Sequence, residues 1–150
     1  MKLWRITTAR YALDKLCDGA RLYGGRWNPI GYPVLYAGTT IEIAALEKFV
    51  HLAAIAHPPL KLIEITVPDD PPLVYPAKDL PADWADLPIS ASAQAFGRQW
   101  IEDAKYLIMI VPSAIIPEAK NAVINAAHPR YSDVTLQIQR DFSFDGRMFK

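Results

Sequence analysis

Arg26 is the first residue whose type and setting point to chemistry. It stands in Gly24-Gly25-Arg26-Trp27-Asn28, and a guanidinium is the planar, bidentate partner that phosphate oxygens prefer. Flanking glycines allow backbone amides to approach the same oxygens. A turn arginine paired with a surface carboxylate is the alternative interpretation. The run matches neither a Walker loop nor a GxGxxG fingerprint, so it predicts neither a Rossmann nor a P-loop fold.

Glu47 is the second candidate, because a carboxylate on an apolar helix stripe is unusual. Its helical neighbours three and four positions away are Ile43, Ala44, Val50 and His51, and three of these four are apolar. Burying a carboxylate is costly unless the group is paired or used. Two interpretations stay open from the residues alone: a local Glu47–His51 pair at a helix edge, and a catalytic carboxylate.

Tyr36, Trp27 and Ser113 complete the set of candidate ligand contacts. Tyr36 ends a predicted strand, and a tyrosine there can stack on a ring and donate a hydrogen bond. Both Tyr36 and Trp27 are equally compatible with a place in the core. Ser113 follows an apolar strand and suits a nucleophile, a ligand-binding hydroxyl or a turn. A serine hydrolase is weakly supported, since there is no GxSxG elbow and no recognisable triad order.

The composition argues against several other classes of function. The chain has 16 basic and 16 acidic residues, without the concentrated positive face that nucleic-acid binding needs. Cys17 is the sole cysteine, which excludes an intrachain disulfide and a cysteine zinc site. The three histidines show no HExxH spacing, so we expect no metal site. No stretch approaches the roughly 18 apolar residues of a membrane span, and the N-terminus lacks a signal peptide, so we expect a cytoplasmic protein.

The elements that position these residues follow from periodicity and turn chemistry. The segment from Asp18 to Pro33 is rich in glycine and proline and predicts turns. Thr39 and Glu42 have capping-box spacing, and the helix that they start continues to about Ile55. Two further helices are predicted over 9–17 and 92–104. Strands are predicted over 2–6, 34–37, 60–67, 106–111, 114–116, 121–125, 134–138 and 142–144.

Eight prolines between Pro58 and Pro88 mark a long, stiffened surface segment. It is not a linker between domains, because each flank alone is too small for a stable core. Asn121 and Asn125 read as the polar ends of one short strand. Interspersed strands and few helices predict one α+β domain, residues 1–150, with a largely antiparallel or mixed sheet.

Several of these motifs together resemble the RES domain. The residues that carry the resemblance are, in order, GGRWNPIGYPVLYAGTT, AALEKFVHL, IVPSAIIP, NAVINAAHP and FSFDGRMF. The arginine, glutamate and serine for which that family is named correspond to Arg26, Glu47 and Ser113. The resemblance covers nearly the whole chain. Ala126 and the pair Gly97-Arg98 depart from the expected pattern, and we expect the basic Arg98 near the cleft to affect the choice of acceptor or partner.

The resemblance implies an ADP-ribosyltransferase-like fold, with a split, mostly antiparallel β core and peripheral helices, and a toxin that is neutralised by an Xre-type antitoxin. It also implies cleavage of NAD+, as substrate rather than prosthetic group, at the nicotinamide–ribose bond. In that scheme Arg26 binds the pyrophosphate, Tyr36 with Trp27 positions nicotinamide, and Glu47 stabilises the ribosyl cation. Ser113 and Asn125 are expected to bind NAD+.

The resemblance leaves the acceptor of ADP-ribose open among water, phosphate and a protein side chain. An alternative from another class is a non-catalytic module that pairs with an Xre-like protein to regulate transcription. Exposed apolar surface around the proline-rich segment would suit that role.

Overall fold

Seven strands form one sheet in the computed structural model, which describes residues 1–52 and 57–149. The strands are β1 (Lys2–Thr8), β2 (Val34–Gly38), β3 (Leu60–Thr66), β4 (Leu73–Val74), β5 (Ile108–Pro112), β6 (Lys120–Asn125) and β7 (Thr135–Phe142). The helices are α1 (Asp18–Tyr23), α2 (Ile41–Val50) and α3 (Ala91–Asp103).

The sheet has the order β4-β5-β6-β2-β1-β3-β7. Every neighbouring pair is antiparallel except β4 and β5, which are parallel. The central pair, β1 and β2, is joined at the single position Trp4↔Gly38, so the sheet is nearly divided into a four-stranded and a three-stranded part. The predicted α+β class with a split, mostly antiparallel core is therefore confirmed.

The two faces of the sheet bury different sets of side chains, because side chains alternate along each strand. One face carries an apolar cluster that includes Leu35, Ile65 and Ile124. On the other face, Val34, Met109 and Val123 pack with residues of α3 in one cluster. Ile6 and Leu62 pack with α2 in a second cluster on that same face. Helices α2 and α3 thus cover one side of the sheet, which we call the helix-bearing face.

Both long helices begin where a short polar side chain caps them. The Thr40 hydroxyl accepts from the Ile43 amide at the start of α2, and the Ser90 hydroxyl accepts from Ala93 at the start of α3. The predicted cap, Thr39, instead donates its hydroxyl proton to the Lys120 carbonyl. Helix α2 ends at Val50, and positions 53–55 of its predicted course lie outside the described residues. No helix of the described residues is long and apolar enough to cross a membrane.

Two N-terminal predictions differ from the structure. The predicted helix over 9–17 is reduced to a 3-10 turn, Ala9–Tyr11, because Asp14 turns the chain by accepting from the amides of Leu16 and Asp18. Helix α1 then forms inside the segment that was predicted as turns alone. Gly24 ends this helix with a positive φ, and Gly19 lies within it.

Two C-terminal predictions also differ. No strand forms over 114–116, because the Ser113 hydroxyl accepts from the amides of Ile115 and Ile116 and closes a turn. In place of the predicted strands 134–138 and 142–144 there is one strand, β7, which ends at Phe142. It pairs with β3 along its length, with a register shift between Leu62 and Ile63.

The proline-rich segment is not confined to the surface as predicted. It contributes the edge strand β4 and a 3-10 turn, Ala77–Asp79. Leu80 and Trp84 are buried in the cluster beneath α3. The segment is therefore stiffened by proline and also anchored by two large apolar side chains.

Candidate active site

The loop that carries Arg26 is closed on itself through its backbone. The Gly25 amide donates to the Asn28 carbonyl at 2.9 Å, and the Gly24 amide donates to Ala20 at 2.8 Å. Asn28 is fully buried, and its amide nitrogen donates to the carbonyls of Ala20 and Tyr32. The two glycine amides are thus engaged inside the loop, which corrects the expectation that they approach phosphate oxygens.

The Arg26 guanidinium projects from this loop and is held on one side only. Its Nη1 donates to the carbonyl oxygens of Trp84 at 2.6 Å and Asp86 at 3.1 Å. These are backbone acceptors, so the interpretation of a turn arginine paired with a surface carboxylate is not what the structure shows. No described residue accepts from Nε or Nη2, and that edge is the one that binds two oxygens at once.

Tyr36 fastens the Arg26 loop to strand β2. Its hydroxyl donates to Asn28 Oδ1 at 2.5 Å and accepts from the Trp27 amide at 3.0 Å. Burial raises the pKa of this phenol above its ordinary value. A Cβ on Gly25 would lie 2.7 Å from the hydroxyl, so only glycine permits this approach. The hydroxyl proton is committed to the loop, and the ring is partly buried against the core cluster beneath α3.

Trp27 lies in the core rather than on a ligand surface. Its side chain is 3% exposed, with the ring stacked on Trp84 and edge-on to Phe96. No open face remains on which a nicotinamide ring could stack. The expectation that Trp27 helps to position the substrate is therefore corrected: it anchors the loop beneath α3.

Glu47 reaches the sheet because α2 packs closely on Gly38. A Cβ at Gly38 would lie 2.7 Å from Ile43 Cγ2 and 2.9 Å from the Ala44 amide. Glu47 follows these two residues by one turn and lies on the same stripe of the helix. Its Oε1 accepts from Asn121 Nδ2 at 2.6 Å. The predicted local partner, His51, contacts the backbone carbonyl of Glu47 and not its carboxylate.

Ser113 makes the second contact to Glu47. Its Oγ donates to Oε1 at 2.9 Å and accepts from the amides of Ile115 and Ile116. A hydroxyl has one proton and two lone pairs, so this fully buried group has no capacity left for NAD+. Ser113 therefore supports the carboxylate, which corrects its expected role as a substrate-binding residue.

Asn125 lies at the far end of β6 and is fully buried. Its amide nitrogen donates to the Ile101 carbonyl and its oxygen accepts from the Ala127 amide, so it ties β6 to α3. Asn125 was expected to bind NAD+, and the structure instead gives its side chain to backbone partners. Asn121, at the other end of the strand, is the asparagine of the site. The alternation of side chains along β6 could have pointed to Asn121, because the pairing Tyr36↔Val123 places Asn121 and Tyr36 on one face.

Arg26, Tyr36 and Glu47 all belong to the helix-bearing face. Tyr36 pairs with Val123, so the backbones of Tyr36 and Asn121 are diagonal neighbours about 7–8 Å apart. Asn121 bonds Glu47, and the Tyr36 hydroxyl accepts from the residue after Arg26. The guanidinium and the carboxylate are thus connected through adjacent strands on one side of the molecule.

Two cavities, of about 390 Å³ and 290 Å³, lie elsewhere. The larger is lined by residues that include Arg21 and Tyr131, and the smaller by residues that include Tyr75 and Trp100.

Arg98 is engaged on the surface by Glu102 and the Tyr32 ring. No group of three or more potential metal ligands occurs in the described ranges. The arrangement instead offers a cation, an aromatic ring and an oriented carboxylate, which suits a substrate with an anionic end and a reaction centre that becomes positive.

Comparison with known proteins identifies the family of this chain. The model of the RES domain matches residues 2–145. The chain belongs to the RES domain family. It is similar to a "Prs ADP-ribosylating toxin" of Sphingobium sp. strain YBL2, with 37% identity over 98% of this chain and 96% of the relative. It is also similar to a "Toxin Res" of Yersinia enterocolitica, with 30% identity over 99% of both chains.

This RES domain also has a structural counterpart. The Mycobacterium tuberculosis MbcT–MbcA toxin–antitoxin complex contains a chain that matches it with a TM-score of 0.73. The match covers 99% of this chain and 86% of the other, at 21% identity. At that identity the likeness bears on the fold alone, and it agrees with the α+β architecture described above.

Proposed function

We propose that this RES domain is the toxin of a toxin–antitoxin pair and cleaves NAD+ at the bond between nicotinamide and ribose. The observation that carries the proposal is the Glu47 carboxylate, held at Oε1 by two donors on the same sheet face as Arg26 and Tyr36. Names of relatives, "Toxin Res" and "Prs ADP-ribosylating toxin", support the class of activity.

In the proposed reaction the electron pair of the C1′–N bond leaves with nicotinamide, which departs neutral. Positive charge develops on the ribose, as it does in glycoside hydrolysis. The Glu47 carboxylate stabilises that charge, and it needs no reorganisation because its orientation is already set. An acceptor then gives an electron pair to C1′ and loses its proton to water.

Arg26 and Tyr36 have binding roles in this proposal. The Nε–Nη2 edge of Arg26 binds a pyrophosphate oxygen pair, with the guanidinium held in place by the Trp84 and Asp86 carbonyls. The Tyr36 ring stacks on nicotinamide, since its hydroxyl is already used by the loop. We propose no prosthetic group, and NAD+ enters as a substrate.

For the acceptor we propose a protein side chain, which makes this RES domain a mono-ADP-ribosyltransferase. The support is the relative named as a Prs ADP-ribosylating toxin, which is 37% identical across nearly the whole chain. Transfer to water or to phosphate are the competing outcomes. The three acceptors differ in product: a labelled protein for a side chain, ADP-ribose for water, and a phosphate ester of ADP-ribose for phosphate.

We further propose an antitoxin of the Xre type as the partner, acting in the cytoplasm. Large apolar side chains are exposed near both charged groups of the proposed site, Arg26 and Glu47. Leu87, 83% exposed, follows Asp86, whose carbonyl accepts from Arg26, and the exposed Ile116 lies in the turn that the Ser113 hydroxyl closes. Such a surface suits a protein that covers the site.

The test compares Glu47→Gln with the wild-type chain, both purified without an antitoxin. Glutamine keeps an oxygen for Ser113 and Asn121 but removes the negative charge, so the fold should persist. We expect nicotinamide release to fall by about 10²-fold, the scale of one lost electrostatic contact in the transition state. Glu42→Gln is the matched control, because Glu42 is exposed on the same helix.

Products are resolved from ³²P-labelled NAD+ with phosphate, without phosphate, and with cell lysate. Label on a lysate protein supports the transferase, whereas free ADP-ribose or its phosphate ester assigns the other acceptors. Wild-type protein that leaves NAD+ intact under all three conditions would exclude the enzyme. It would favour a binding module instead, especially if its expression did not arrest growth.

A further inference from the structure

The Glu47 carboxylate is held asymmetrically. Asn121 Nδ2 and Ser113 Oγ both donate to Oε1, at 2.6 Å and 2.9 Å. Each carboxylate oxygen has about two acceptor positions, so Oε1 is filled by these two donors. No described residue donates to Oε2. One oxygen of the carboxylate is thus fixed by the protein, and the other keeps its acceptor capacity.

We propose that Asn121 is a positioning residue that, with Ser113, holds Glu47 by Oε1 so that Oε2 faces the ribose of NAD+. The proposal rests on the function proposed above and adds to it the identity of the working oxygen. Asn121 itself makes no contact with substrate in this scheme. It acts through Glu47 alone.

The hydrogen bonding of Asn121 supports this role over that of a simple strand end. Its Oδ1 is buried and has no partner among the described residues, which is a costly arrangement for a side-chain amide. Exchanging its oxygen and nitrogen would place an oxygen against the carboxylate, so the nitrogen must face Glu47. Asn121 therefore serves this position through the hydrogen bond that its side-chain nitrogen donates to Glu47, because its side-chain oxygen makes no hydrogen bond with a described residue.

The strand and the helix make the contact rigid. Asn121 lies on β6 opposite Gly38 of β2 and Val111 of β5, so paired strands flank it on both sides. Gly38 lets the start of α2 approach the sheet, and Glu47 follows one turn later. A carboxylate held this way cannot rotate away while positive charge develops on the ribose, so its stabilising effect is already in place.

The experiment measures kcat and KM for nicotinamide release by the full chain, together with the melting temperature of each variant. Asn121→Asp keeps the size of the side chain but replaces the donor by an oxygen that repels Glu47. We expect kcat to fall by about 10²-fold and KM to change less than about threefold, because binding through Arg26 and Tyr36 is untouched. Asn121→Ala removes the donor without adding repulsion, and we expect a kcat loss of about 10-fold.

Asn125→Ala is the matched control, since Asn125 is a buried amide on the same strand that bonds only backbone groups. We expect a lower melting temperature with kcat within threefold of wild type. If that variant does not fold, Thr39→Ala takes its place, because it removes a hydrogen bond to Lys120 beside Asn121. Likewise, if Asn121→Asp does not fold, the kcat of Asn121→Ala provides the test.

The following outcomes would overturn the inference. Wild-type kcat in a folded Asn121 variant would do so while leaving NAD+ cleavage established. A loss confined to KM, or one matched by Asn125→Ala at equal folded fraction, would show a merely structural role. Wild-type protein without activity would remove both the inference and the proposed function. A structure with a carbocyclic NAD+ analogue adds an atomic check: the ribose hydroxyl should bond Oε2, and a bond to Oε1 would contradict the proposal.

Discussion

The Arg26 loop and helix α2 present the two charged groups of the site by opposite means. The loop is held by backbone groups: amides of Gly25 and Trp27 are bonded within it or to Tyr36, and the guanidinium rests on two carbonyls. Glu47 is presented by a regular helix, and its carboxylate is held by two side chains, Ser113 and Asn121. A loop that depends on backbone contacts tolerates little change in shape, whereas a carboxylate held by side chains depends on their chemistry.

This difference shows where substitutions should affect folding and where they should affect reaction. The loop is packed against α3 so tightly that Gly97 contacts the Trp27 backbone. Around Glu47, by contrast, a substitution can remove a single amide or hydroxyl without causing a steric clash. Changes at the loop should therefore appear in the free energy of unfolding, and changes around Glu47 should appear in kcat.

The largest expected effect tests the steric side of the comparison. In Gly97→Ala the new Cβ would lie 1.7 Å from the Trp27 carbonyl oxygen, so the loop or α3 must move. We expect the free energy of unfolding to fall by about 3 kcal/mol, measured by urea denaturation. Gly19→Ala is the control, because its Cβ would meet nothing within 4 Å. Equal stability of Gly97→Ala and wild type would refute the view that packing fixes the loop.

The next effect is smaller and tests whether the Arg26 side chain contributes to NAD+ binding. In an inactive Glu47→Gln background, Arg26→Ala should weaken NAD+ binding by about 10- to 100-fold, the scale of one or two charge-assisted hydrogen bonds. Arg26→Lys keeps the charge without the bidentate edge and should lie between. Isothermal titration calorimetry measures both. An unchanged affinity in Arg26→Ala would remove Arg26 from the proposed pyrophosphate site.

The smallest effect concerns the hydroxyl that joins the loop to β2. Tyr36→Phe removes its bonds to Asn28 and Trp27 and should lower the free energy of unfolding by about 1–2 kcal/mol at neutral pH.

This variant should also change the alkaline limb of stability. Burial raises the folded-state pKa of Tyr36 above its unfolded value of about 10, so its stabilisation is complete below about pH 10. Above that pH the contribution is lost at up to about 1.4 kcal/mol per pH unit. Wild type should therefore lose stability more steeply than Tyr36→Phe in urea titrations above pH 10. Parallel curves would show that the phenol ionises equally in both states.

Local patterns predicted the elements that are regular and capped. Helix α2 and the central strands lie close to their predicted places, because apolar periodicity and turn residues act within a few positions of the chain. The same patterns missed α1, because a six-residue helix has little periodicity to read. The same patterns predicted two strands where β7 is one, because β7 is held together by its pairing with β3, which the residues of β7 alone do not reveal.

Sequence patterns alone predicted the class of fold and the residue types of the proposed site: the guanidinium of Arg26, the ring of Tyr36 and the carboxylate of Glu47. The residues that support these three side chains became apparent from the folded arrangement. Asn121 and Asn125 are the same residue on the same strand and face, yet one holds Glu47 and the other holds the backbone of α3. A side chain's type sets what it can donate, but its partners come from distant segments that folding brings together.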